Sequence, residues 1–134
     1  MAVDDLPEID PEAMARAEAA LTNLSSSYLE WVAADLRALT ERFALLEIQP
    51  EARAEHLRAL FTIVHDMKGQ ATTFGYPLVT RIGSALCRLI ESEGDVTVAV
   101  IGAHVDALTK VVNQRLRDDG GDDGRRLLES LGLE

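Results

Sequence analysis

His65, Lys68 and Gly69 are the residues of this chain whose types and spacing could do chemistry. In a helix, side chains three and four residues apart meet on successive turns, so Lys68 and Gly69 share one patch with His65. The wheel, at about 100° per residue, gathers Leu57, Leu60, Val64, Met67, Ala71 and Phe74 on one apolar face and turns His65 about 100° from its centre. The imidazole is therefore expected on the rim of a helical core. A cation and a missing side chain flank it.

A rim histidine can transfer protons, ligate a metal, attack an electrophile, or be an ordinary solvated side chain. A metal site is not expected: His56, His65 and His104 lack the i, i+4 pairing of a helical metal face. General acid–base work calls for an oriented partner, and on the wheel Asp66 projects about 100° away from His65. Nucleophilic phosphoryl transfer makes demands that the patch meets. It needs an exposed ring over which another protein's active site can close, a cation to offset the incoming charge, and a low surface alongside. Lys68 supplies the cation, unless it is simply a solvated helix charge. Gly69 supplies the low surface, and a glycine inside a helix costs about 1 kcal/mol relative to alanine, which the close approach of another backbone would explain. The wheel neighbours Arg58, Phe61 and Thr72 complete a locally basic, partly apolar docking patch suited to an acidic pocket. Arg81, on the following helix, is either a further contributor or a solvated charge.

The elements that must position these groups read as helices. Asp10 caps a start at Pro11, giving a short accessory helix over residues 11–22 whose narrow stripe of Met14, Ala17, Leu21 and Leu24 would lie at the edge of a bundle. The polar run 23–27 interrupts the pattern, and Ser27-x-x-Glu30 reads as a capping box opening a second helix over 28–46. Trp31 beside its apolar face is a core or seam residue, or borders a docking surface. Pro50 starts a third helix over 50–74, which Gly75 ends in a left-handed conformation. Pro77 starts a fourth, to about residue 92, closed by Gly94. Asp95 caps a fifth over 96–117; its first six residues have the composition of a strand, but Val98, Ile101, Val105, Leu108 and Val112 keep helical spacing. The acidic, glycine-rich run 118–124 reads as a flexible linker, followed by a short terminal helix over 125–133. The expected organisation is an N-terminal lead and accessory helix (1–26), an up-down-up-down four-helix bundle (27–117) and a tail (118–134).

Composition bounds the rest. The 134 residues suffice for one domain with its own core, and 47% apolar but only 4% aromatic residues favour an all-α fold. Thirteen basic against twenty-three acidic residues leave a net charge of −10, which disfavours nucleic acid and anionic lipid as partners. The single cysteine, Cys87, excludes an internal disulfide and reads as a small core residue. An acidic N-terminus and the lack of a long apolar run point to a cytoplasmic protein with no membrane partner.

The motif His65-x-x-Lys68-Gly69-x-x-x-x-Phe74-Gly75, followed by Leu78 and Leu86, resembles that of the histidine phosphotransfer (HPt) domains of bacterial two-component phosphorelays. The resemblance covers residues 27–117. It implies that His65 is phosphorylated on Nε2, taking the group from an aspartyl phosphate of one receiver domain and passing it to another. Lys68 would contact or orient the phosphoryl group, and Gly69 would keep the approach clear. It further implies partners in the receiver domains of a hybrid histidine kinase and of response regulators, a monomer, and no cofactor of the chain's own, the Mg²⁺ belonging to the receiver. Nothing resembles a nucleotide-binding lid or loop, so kinase activity is not expected. Gln70 and Thr73 depart from the small residues that many members carry after the glycine. The competing expectation is a non-catalytic helical adaptor or dimerisation bundle that leaves His65 unmodified. A metal-dependent helical enzyme would need carboxylates facing His65, and spacing reveals none.

Overall fold

Asp10 accepts a hydrogen bond from the Glu12 N–H at 3.1 Å and Pro11 takes the first helical position, so a helix begins where the sequence places one. In the computed structural model, which describes residues 10–92 and 96–133, that helix does not stop at residue 22. It runs unbroken as α1 (Pro11–Ile48), and Ser27 lies inside it and caps nothing. The run 23–27 holds neither glycine nor proline, and its polar side chains reach solvent. Nothing forces the backbone out of the helix while Tyr28, Val32, Leu36, Leu39 and Leu46 hold the register by burial. The boundary expected between residues 26 and 27 therefore falls mid-helix. Nor does the first part of α1 lie at an edge, because Met14, Leu21 and Leu24 are exposed.

A 3-10 turn at Pro50–Ala52 reverses the chain into α2 (Arg53–Ala71). The elbow is fixed by a buried histidine. Arginine can only donate, so His56 Nδ1 accepts from Arg42 at 3.2 Å, which puts the ring proton on Nε2, facing Gln49 Oε1 at 2.9 Å. At the far end Gly75 has φ +89°, its N–H bonded to the Thr72 carbonyl and the Tyr76 N–H to that of Ala71. This pair of bonds closes a helix through a left-handed residue, as the sequence suggests.

Helix α3 (Pro77–Glu91) and helix α4 (Val98–Asn113) follow. Gly94 and Asp95, the expected stop and cap, lie outside the described residues, as does the N-terminal lead over 1–9. Within the described residues Thr97 caps α4, its hydroxyl accepting from the Val100 N–H at 3.2 Å. The valine-rich opening of α4 is helical. The helix ends at Asn113, four residues early, because Arg115 turns left-handed at φ 51° and the N–H groups of Arg115 and Leu116 close back on Val112 and Val111.

The tail is not a flexible linker. Asp118 donates its N–H to the Gly75 carbonyl at 2.9 Å, Gly120 turns at φ +71°, and α5 (Gly121–Ser130) starts within the glycine-rich run. Leu127, Leu128, Leu131 and Leu133 then pack on the core.

Helix α1 packs on α2 and α4, and α3 packs on the same two, so four helices close a ring around Leu39, Leu60, Ile82, Leu86, Ile101 and Leu108. Helix α2 runs opposite to both α1 and α3, since Tyr28 meets Phe74 while Arg42 meets His56, and Val64 lies against Gly83 with Thr72 against Thr80; Phe43 of α1 lies against Gly102 of α4. The described residues contain helices and no strand, and none of these helices is long and apolar enough to cross a membrane.

Candidate functional site

Helix α2 buries His56, Leu60, Val64, Met67 and Ala71 along one line, and that line decides where His65 points. One residue past Val64, its side chain is 62% exposed. The ring is braced from its own helix: Phe61, one turn earlier, stacks on it with centroids 5.9 Å apart and planes 23° from parallel. Gly69, one turn later, is exposed, and a Cβ built on it would meet nothing within 4 Å. The imidazole thus has an aromatic brace on one side and open space on the other.

Lys68 is half-buried on the flank that faces α3, its ammonium donating to Ser84 Oγ at 3.3 Å. That single long bond leaves two of its three N–H donors for another group. Thr80 ties the same turn to α3, its hydroxyl donating to the Lys68 carbonyl and lying within 3.1 Å of Thr72 Oγ1. Gly83 makes this closeness possible. A Cβ there would lie 3.2 Å from Val64 Cγ1 and 3.3 Å from Lys68 Cβ, tighter than ordinary packing. Thr80, Gly83 and Ser84 escape a reading of the α2 motif alone. A glycine on the buried face of an amphipathic helix, as at Gly83, is the one signal the sequence offers of them.

The other flank carries acid. Asp66 Oδ1 comes within 3.9 Å of His65 Nδ1, across an angle that the helical wheel shows as a separation. Asp35 of α1 senses the same charge: its carboxyl is pushed above the usual range by burial first and by the Asp66 charge second. Trp31, one turn before Asp35, is exposed and so belongs to the surface, not the core. One carboxylate, that of Asp66 on the same helix, therefore lies beside His65, where the wheel alone separates the two.

Of the expected docking residues, Phe61 touches His65 and Thr72 is joined to the α3 flank, while Arg58 is exposed two turns before His65. Arg81 does not reach the site: its guanidinium donates to the Leu133 carbonyl of the tail. Among the described residues no cluster of three histidine, cysteine or acidic side chains could hold a metal ion. Comparison of the chain with protein-family models, with curated proteins and with solved structures finds no match. The site thus offers an exposed imidazole with a cation on one flank, a carboxylate on the other and an open surface at Gly69.

Proposed function

We propose that this chain is a histidine phosphotransfer protein that carries a phosphoryl group between receiver-domain aspartates through phospho-His65. The observation that carries the reading is the exposed, braced imidazole next to the open surface at Gly69. A small-molecule enzyme would be expected to enclose its nucleophile, whereas a carrier must present it to another protein's active site. Lys68 supplies a charge-assisted donor for the phosphoryl oxygens, and Phe61, Arg58 and Thr72 are the docking residues. In this reading the ring of α1 to α4 is an up-down-up-down bundle of the HPt kind, with the first part of α1 and the α5 tail as additions. The chain works in the cytoplasm as a monomer, holds no cofactor and does not bind ATP. The receiver domains of a hybrid kinase and of response regulators are its partners, and they bring the Mg²⁺.

Incubation with a phosphorylated receiver domain tests this. Label is expected on the wild-type chain and absent from His65→Gln, and label that persists in His65→Gln overturns the assignment. The exposed Met14, Leu21 and Leu24 on α1 favour a second reading, a helical adaptor. An adaptor would bind its partner equally well with or without His65 and would never take label.

A further inference from the structure

Asp66 gives His65 its polar contact. The carboxylate lies 3.9 Å from Nδ1, so modest rotations of two exposed side chains would close a hydrogen bond. Phe61 stacked on the ring limits how far the imidazole itself can turn. The Asp35 carboxyl of α1 feels the Asp66 charge, and that repulsion disfavours a turn of Asp66 toward it. The imidazole edge is thus the polar partner beside which the exposed Asp66 carboxylate lies.

We propose that Asp66 is a positioning residue for His65, holding the neutral ring as the Nδ1–H tautomer so that the lone pair sits on Nε2, toward the phosphoryl donor. The inference rests on the carrier reading above and adds to it the group that selects the nucleophilic nitrogen. An ionised carboxylate only accepts hydrogen bonds, so it stabilises the tautomer that offers it an N–H, and the other nitrogen is left unprotonated. In the transfer the Nε2 lone pair forms the N–P bond as the P–O bond to the receiver aspartate breaks, its electron pair leaving with the carboxylate. The ring becomes cationic with its Nδ1 proton in place, and Asp66 stabilises that charge. On return the N–P electron pair goes back to Nε2. No proton has to move in either direction.

The test is ¹⁵N NMR of the histidine-labelled full chain, at an alkaline pH above which the ring signals no longer move. His65→Gln assigns the resonances. In wild type the His65 Nε2 signal is expected at the unprotonated position. In Asp66→Ala it should shift toward the protonated position, and Asp66→Glu should restore part of the difference. Identical His65 spectra in wild type and Asp66→Ala overturn the proposal. Phosphoryl acceptance from a receiver should slow several-fold in Asp66→Ala while binding to the unphosphorylated receiver stays the same. Label reaching His65 together with unchanged tautomers removes only the role of Asp66. A wild-type His65 that never takes label overturns the carrier reading, whatever its tautomer.

Discussion

In the carrier reading, Gly69 sets stability and transfer against each other at a single residue. Alanine is better than glycine in a helix interior by about 1 kcal/mol, and a methyl group at this position meets nothing in the protein. Gly69→Ala should therefore stabilise the chain by about 0.5–1 kcal/mol in urea unfolding, while transfer from a receiver slows because the methyl occupies the partner's space. A variant that is both more stable and equally fast would show that nothing approaches this turn closely. Tyr28 makes a second residue-scale case. Its ring stacks between Phe74 and Tyr76, at 4.9 and 5.8 Å, and its buried hydroxyl has no hydrogen-bond partner among the described residues. Burial above all, then Tyr76 and Asp35, push the phenol from 10.0 up to about 12. Between those values the folded chain keeps a proton that the unfolded chain has released, so stability is full below pH 10 and falls as pH rises toward 12. Tyr28→Phe should remove that alkaline loss. At neutral pH it should leave stability unchanged or raise it by up to about 1 kcal/mol, since the hydroxyl is desolvated without a partner. Unfolding midpoints at neutral and alkaline pH measure both effects.

At the scale of the elements, the α2–α3 contact decides how the site is held, and Gly83 sets its spacing. Its Cβ position is already tight against Val64 and Lys68, so Gly83→Leu must push α3 outward. That change is expected to cost about 1–3 kcal/mol by overpacking and to break the Lys68–Ser84 hydrogen bond, slowing transfer without touching His65. The α2 line of buried residues and the α3 and α4 stripes were legible in the sequence because burial imposes one helical period on each. The exposed position of His65 followed from that period alone. What the sequence hid is tertiary or negative in kind. The run 23–27 has the residues of a cap, yet a cap forms only where the chain turns, and no glycine or proline turns it. Asp66 reaches His65 because two side chains lean across the 100° that separates their Cα–Cβ vectors. The Asp35 charge arrives from another helix altogether. A wheel drawn for one helix contains neither fact.

The whole molecule carries a net charge of −10, and the exposed Arg58 two turns before His65 and the half-buried Lys68 on its α3 flank are a local exception. The first turns of α1 and the α5 segment are held very differently, which yields a paired expectation. Residues 10–24 contribute exposed apolar side chains such as Met14, Leu21 and Leu24, so a chain shortened to start at Ser25 should change in stability by no more than about 0.5 kcal/mol, the range of surface changes. The other end is built into the fold. Gly124 is buried at a position where any Cβ would strike the Asp119 carbonyl, and Asp118 ties its backbone to Gly75 at the end of α2. Arg81 holds the Leu133 carbonyl, and Leu127, Leu128, Leu131 and Leu133 cover the core. Four half-buried leucines contribute about 1 kcal/mol each, part of which offsets the entropy of ordering the segment. Truncation after Arg117 should therefore lower stability by about 1–3 kcal/mol, read as a lower urea midpoint. The tail meets α3 at Leu78 and Arg81, whereas the α3 residues that support the site are Thr80, Gly83 and Ser84, so the truncated chain, at a temperature where it is folded, should still take label from a phosphorylated receiver. Loss of labelling in a folded truncated chain would mean that the tail takes part in docking. An unchanged midpoint would mean that α5 does not pack on the core in solution.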